Sequence, residues 1–378
     1  MRLTGIAWRG YSLPFRQKYV TSDSQSINRC GLLLFLINSD RLVGVGEASP
    51  VGAGSPKEVD GIVATLEGLT SRLLSSESDA LEETMSTWEM PPPLRFGIET
   101  ALLDLRGQAE RLPLTALLGG KPLPLSANGI ITAESSEQAA TEAREVVGLG
   151  FSNLKLKIGR GTLAKDEKLV SAVREAVGLE VKLRLDPNQA WSVNQAIESI
   201  RRLSRYQIEF VEQPVASSDV AGLAEVRRSV PVPLAADESL NSLVDLHRLL
   251  DTSAADIFII KAARLGGLSE SLKVATEALE ASHSVVVTTS LESSVGIAAS
   301  AHLAAALPVQ SHPHGLATGL LFDHDLTYSR FLAKKGILMT PVGPGLGIKV
   351  DAKSLRKHSS AVIGSIGSLS GLQEYLSL

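Results

Sequence analysis

Five short apolar runs in the middle of the chain each end in a charged residue, and in order the charges read Lys157, Asp186, Glu212, Asp237 and Lys261. The runs begin at Asn153, Val181, Ile208, Val232 and Ile257, and their ends lie 29, 26, 25 and 24 residues apart. That period holds one strand, one helix and two loops, the unit of a (β/α) barrel. Charges at the C-terminal ends of successive barrel strands converge on one mouth, where barrel enzymes carry out their chemistry. The spacing therefore predicts a fold and a site together.

Lys155 precedes Lys157 by two residues, so both side chains of that strand point into the barrel. Neighbouring ammonium groups make each other easier to deprotonate, and a neutral amine serves as a general base. An isolated Lys-x-Lys is more often a solvated strand end, but here it heads an ordered series. Asp186, Glu212 and Asp237 come from three successive strands and repel one another unless a cation lies between them. Single strand-end acids commonly form salt bridges or cap helices; three in register read as metal ligands. An oxygen-only donor set suits Mg2+ better than Zn2+, with Mn2+ as the alternative ion. Lys261 closes the series from the opposite wall, as a second base or electrostatic group, the other reading being a Schiff-base nucleophile. Two lysines across a Mg2+ site suit removal of a proton alpha to a carboxylate, with the metal holding the enediolate. An enzyme acting on a small-molecule carboxylate is expected.

At 378 residues the chain suits two domains, and 44% apolar with 21% charged residues is ordinary globular material. A net charge of −4 without a basic run argues against nucleic-acid or membrane partners. Cys30 stands alone, which excludes an internal disulfide or a cysteine metal cluster. The N-terminus lacks the apolar stretch of a signal peptide, so a cytoplasmic protein is expected. Oligomeric state leaves no signal.

Residues 1–122 lack the β/α rhythm and read as an α+β domain, with a hairpin of Gly31–Asn38 and Arg41–Glu47. Residues 123–335 read as the barrel, and 336–378 as a segment returning to the first domain. Asn128–Thr132 is a candidate first barrel strand, Ser284–Leu291 a seventh, and Val309–His312 a weaker eighth. Leu13–Asn28 and the loop Gly52–Pro56 are expected to close over the barrel mouth. Gly44-Val-Gly46 does not complete a dinucleotide fingerprint, because Ser49 stands where the third glycine belongs. His312 and His314 lack a further metal-binding partner in register and read as loop residues. Ser290 and Glu292 form no hydrolase triad with any evident histidine.

These residues resemble the enolase superfamily, in particular its muconate-lactonizing subgroup. Lys155-Leu-Lys157, Asp186-Pro-Asn188, Glu212-Gln213-Pro214, Asp237-Glu238-Ser239 and Lys261-Ala-Ala-Arg264 follow in that family's order, and Val45-Gly-Glu47 is similar to its cap. The resemblance implies a (β/α)7β modified TIM barrel with an α+β capping domain. It also implies catalytic Lys157 and Lys261, with Asp186, Glu212 and Asp237, not Glu238, as the metal ligands. Thr289-Ser290-Leu-Glu292 and His314-Gly315-Leu-Ala-Thr318 resemble the o-succinylbenzoate synthase family, whose likeness suggests substrate contacts at Lys155, Asn188, Ser290, Gly315 and Thr318. Gln189 stands where some members of that family carry an arginine. Asp323-His-Asp325 has the spacing with which dipeptide epimerases hold an ammonium group, so an N-acylamino acid racemase or dipeptide epimerase is the alternative.

Overall fold

The computed structural model describes residues 2–20, 25–76, 81, 84–308, 311–368 and 372–376. The first two strands, β1 (Leu3–Val20) and β2 (Gln25–Asn38), make a long antiparallel hairpin. On the other side of β2 pairs β3 (Val43–Ala48), and a strand at Ser359–Gly367 pairs with β1, so both ends of the chain share one four-stranded sheet. The expected hairpin is present, extended at both ends. Of Leu13–Asn28, the segment expected to close over the barrel mouth, residues 13–20 and 25–28 are strand, where β1 and β2 satisfy each other's backbone groups.

Helices Pro56–Ser75 and Pro92–Glu110 cover this sheet. Gly44 and Gly46 let the second helix lie directly on β3. A Cβ at those positions would come within 2.1 Å of the Ala101 carbonyl oxygen and 1.9 Å of that of Gly97. The pair is a packing device. Leu34, Leu36, Leu66, Ile98 and Leu102 fill the layer between sheet and helices.

Beyond β4 (Pro124–Ser126) lies the curled parallel sheet: β5 (Gly129–Ile131), β6 (Asn153–Lys157), β7 (Lys182–Asp186), β8 (Ile208–Glu212), β9 (Leu234–Ala236), β10 (Ile257–Lys261) and β11 (Ser284–Thr288). A helix follows each strand, and the starts use short polar caps. Ser135, Thr162, Ser192, Asp219 and Ser242 each accept a backbone N–H of the first turn. The seventh strand ends at Thr288, three residues short of the expected end, because the chain turns there into the helix Ser294–Ala306.

The eighth position is not a regular strand among the described residues. Of the expected Val309–His312, residues 309–310 lie outside the description, and 311–312 carry no strand. Two bridges slightly later do the closing, Ala127 to His314 and Thr288 to Gly315. The His314 N–H donates to Ser126 O at 2.7 Å and the Gly315 N–H to Val287 O at 2.9 Å, tying the two edges of the sheet. Inside the barrel, Phe210, Ala235, Ile257, Ile259 and Val286 form an apolar plug beneath the charged mouth. A last short strand, β12 (Ile337–Met339), pairs with β4 before the chain returns to the cap.

Candidate active site

Strand register sets the charges side by side: Lys157 pairs with Asp186 across β6 and β7, and Lys261 with Thr288 across β10 and β11. The turns after β7 and β8 are tight. Asn188, Gln189 and Gln213 all take positive φ, at 46°, 65° and 38°, a conformation costly for residues with a side chain. Side-chain bonds hold it. Asp186 Oδ1 accepts the Asn188 N–H at 3.0 Å, and Gln213 Oε1 accepts the N–H groups of Asp237 and Ser239 at 3.0 and 3.1 Å.

The three carboxylates are almost fully buried and meet the lysines directly. Lys157 Nζ lies 2.6 Å from Asp186 Oδ2 and 2.7 Å from Asn188 Oδ1. Lys155 Nζ bridges Glu212 Oε1 at 2.6 Å and Asp186 Oδ2 at 2.9 Å. Lys261 Nζ and Arg264 divide Asp237 between them, at 2.5 Å to Oδ2 and 2.6 Å to Oδ1.

The electrostatics correct one expectation. Burial acts most strongly on Lys155 and Lys157 and lowers both, and for Lys157 its neighbour Lys155 adds to that. Asp186 and Glu212 outweigh these effects, so Lys157 lies above the usual lysine value and Lys155 well above it. Burial pushes Glu212 up to about 7, helped by Asp186 and Asp237 at its sides. Asp186 and Asp237 lie well below the usual range despite burial, Asp186 held there by Lys155 and Lys157, Asp237 by Arg264 and Lys261.

Among the described residues, no three acids, histidines or cysteines are assembled as a cation cage. Ammonium groups reach the carboxylates instead. The donor set nonetheless fits a hard divalent ion, since three buried carboxylates at the ends of β7, β8 and β9 offer only oxygen. Glu238 supplies a further sign: Oε1 accepts from Asn188 Nδ2 at 3.2 Å, while the buried Oε2 has no hydrogen-bond partner.

Above these groups lies a cavity of about 570 Å3, whose wall includes Lys155, Lys157, Asn188, Lys261, Ser290 and Thr318. Of the other expected substrate contacts, Gly315 does not reach that wall; its carbonyl accepts from Thr288 Oγ1 at 2.9 Å in the barrel closure. Thr318 Oγ1 shares a 2.6 Å hydrogen bond with Thr289 Oγ1, and the buried Ser290 Oγ has no partner. Gln189 lines the cavity and accepts the Ser217 N–H at 2.8 Å. From the cap come Tyr19, Gln25, Ser26 and the segment 51–55.

Sequence reasoning assigned no role to Arg264, Gln213 or Tyr19. Arg264, three residues after Lys261, was visible as a charge in an otherwise apolar stretch. Gln213 looked like a spacer between Glu212 and Pro214. Tyr19 lies in Leu13–Asn28, the segment expected to close over the mouth, but nothing in the sequence singles it out there. The histidines are structural: His314 Nδ1 accepts the Val287 N–H at 3.1 Å, and His312 lies 3.3 Å from Glu209. Asp323 pairs with Arg16 at 3.2 Å, Asp325 bonds Ser294, and neither lines the cavity.

A lysine-flanked carboxylate cluster at the mouth of a capped barrel defines a class of enzyme, and comparison with known proteins identifies the family. Residues 138–354 match the family described as Enolase C-terminal domain-like. The chain is 34% identical over 315 residues to a hydrophobic dipeptide epimerase from Enterococcus faecalis, covering 81% of this chain and 88% of the relative. Over 213 residues it is 42% identical to an o-succinylbenzoate synthase from Thermobifida fusca, covering 56% and 65% of the two chains. A muconate lactonizing enzyme from Pseudomonas fluorescens, complexed with muconolactone, superposes with a TM-score of 0.90 at 27% identity, covering 95% of this chain and 99% of that one. The Enterococcus faecalis dipeptide epimerase complexed with Mg and L-Leu-L-Tyr superposes at 0.86 and 28%, covering 92% and 100%. The chain belongs to the enolase superfamily, and it is an enzyme. No helix among the described residues is long and apolar enough to cross a membrane.

Proposed function

We propose that this enzyme is an o-succinylbenzoate synthase, a carbon–oxygen lyase that removes water from a succinyl-substituted hydroxycyclohexadiene carboxylate in menaquinone or phylloquinone biosynthesis. One observation carries the choice within the superfamily. Asp323 and Asp325, which have the spacing of an ammonium-holding pair, are engaged with Arg16 and Ser294 outside the cavity. The segment that follows β11 gives the cavity Thr289, Ser290 and Leu291, and no acid; the acids that line it are Glu58 from the cap and Glu238 after β9. With Lys155, Lys157, Lys261 and Arg264 in the wall, cations outnumber acids there and the cavity suits an anionic substrate.

In this reading Asp186, Glu212 and Asp237 hold Mg2+, with Mn2+ as a substitute. Bound there, the ion supplies the positive charge that makes the alpha proton of a carboxylate removable. Lys157 takes that proton and later returns it to the departing hydroxide, so one lysine serves as base and then acid on one face. Lys261, fixed by Asp237, remains a cation and offsets the charge that develops on the substrate. Asn188, bonded to both Lys157 and Glu238, keeps the base on its line of approach. Ser290 Oγ is free to bond the substrate. Aromatisation of the ring favours the loss of water.

The 34% identity to a dipeptide epimerase supports a second reading, in which Lys157 and Lys261 are both bases on opposite faces of the alpha carbon. Mass spectrometry separates the two. A synthase converts the succinyl-cyclohexadiene acid to a product lighter by one water. An epimerase or N-acylamino acid racemase leaves it intact and takes up deuterium at the alpha carbon of its own substrate, starting from either enantiomer.

A further inference from the structure

A second cavity of about 170 Å3 lies between the end of β1, the helix Ser136–Gly148 and the turn at residues 317–321. Its lining is largely apolar, with Val146, Leu149 and Leu320 beside Phe15, whose ring stacks on that of Tyr19 with centroids 5.2 Å apart. Two carboxylates, Glu142 and Glu145, stand in the same lining, three residues apart on one helix and so on one face of it. Glu142 Oε2 accepts the N–H groups of Thr132 and Ala133, both at 3.0 Å. Burial pushes the Glu142 carboxyl up, and the charge of Glu145 adds to that. Glu145 and Gln17 are exposed at the edge of the cavity, and among the described residues neither side chain has a partner. Arg16, the lining's cation, is already taken by Asp323 at 3.2 Å and by Phe322 O at 3.1 Å.

We propose that this cavity is a second ligand site, separate from the catalytic one, for a small organic ammonium ion. Its hydrocarbon body lies on the apolar lining, and its charge faces Glu145 and Glu142. Two carboxylates on neighbouring turns of one helix face repel each other, and a cation beside them removes that cost. The aromatic pair adds to the attraction for a cation, and the aliphatic side chains favour a partner that covers them from water. An anion is repelled here, and a neutral molecule leaves the repulsion of the acids as it was. The volume limits the body to a few carbons. No lysine lines this cavity, so the proposal stands apart from the reading of the reaction.

The test is calorimetry of the Mg2+-loaded enzyme with pentylammonium and with pentan-1-ol, its neutral counterpart of the same length. Pentylammonium is expected to bind saturably and about fivefold more tightly than the alcohol. Glu145→Gln should weaken pentylammonium about threefold to fivefold and leave the alcohol unchanged. Leu149→Trp, at a half-exposed helix end, fills the cavity and should weaken both probes about tenfold. Neither position lines the catalytic cavity, so these variants report on the second site alone. Absence of saturable pentylammonium binding overturns the proposal, as does equally tight binding of the alcohol. Undiminished binding in Leu149→Trp places the ammonium elsewhere, and undiminished binding in Glu145→Gln removes the charge on which the site depends; either result overturns it as well.

Discussion

The Glu47 carboxylate, on the last strand of the cap hairpin, accepts the Ser293 hydroxyl at 2.6 Å at the start of the helix that follows β11. It also accepts the N–H groups of Ser293 and Gly296, each at 3.0 Å by the closer oxygen, and the Tyr11 hydroxyl. A buried anion at a helix N-terminus is favoured by the helix dipole and satisfies orphan donors. Here it also fastens the cap to the barrel beside the cavity.

Glu47→Ala therefore leaves several buried donors unpaired. A loss of about 2–4 kcal/mol in unfolding free energy is expected from denaturant titration. An unchanged midpoint would mean that the cap is held elsewhere.

Lys157 and Asp186, 2.6 Å apart, form the contact between the proposed base and the proposed cation site. Lys157→Ala should abolish turnover, about 10²-fold or more, while Mg2+ binding persists. Calorimetry checks the second half of that statement. Lys155→Ala removes an ammonium that competes with a cation for Asp186 and Glu212, so weaker substrate binding with Mg2+ binding kept or tightened is expected from the same titration.

Asp325 accepts the Ser294 N–H at 3.1 Å and its hydroxyl at 2.6 Å. Asp325→Asn should cost about 1–3 kcal/mol of stability and leave the substrate KM within about twofold, since the group stands outside the cavity. Asp323→Ala, on the surface, should change neither. A large rise in KM in both variants would return the pair to a substrate-holding role.

The contribution of the two buried histidines to stability should fall as the pH falls from neutrality. Burial lowers His302 to about 4, and burial with Arg184 and His312 nearby lowers His314 to about 3. The unfolded chain takes up protons at these residues near 6.5 while the folded protein does not. Their contribution is thus whole above 6.5 and is lost progressively towards 4 and 3. Asp104 acts with the opposite sign. Burial raises it to about 6, so between its unfolded value and 6 the folded state holds the proton and stability drops as the pH rises. Glu292 and Glu212, raised by burial to about 7, act in the same sense as Asp104, so the histidines' share is read from a substitution. Between pH 7.5 and 5 the thermal midpoint of His302→Gln should lose less, or gain more, than the parent's; a change parallel to the parent's would contradict the assignment.

The central strands were legible because two local signals coincide in them, apolar β-branched residues and a terminal charge. The runs ending at Lys157, Asp186, Glu212 and Lys261 are β6, β7, β8 and β10, and Asp237 follows the last residue of β9. The rest depends on distant partners. The outer edge of β1 is paired with residues 358–368, far along the chain, and Arg9 and Arg29 in this sheet are buried, against their usual preference. The barrel closure uses a pair of bridges at His314 and Gly315, too short for any periodic pattern. Gln213 and Arg264 act through side-chain bonds across loops, which spacing cannot reveal.

The measurement that tests the central claim most directly is an ultraviolet time course of the purified enzyme with the succinyl-hydroxycyclohexadiene carboxylate. It is run with and without Mg2+, and with Lys157→Ala in parallel. The account predicts rapid loss of the diene absorbance that requires Mg2+ and is absent in the variant. An unchanged diene band in the parent enzyme, with Mg2+ shown to bind, would contradict it.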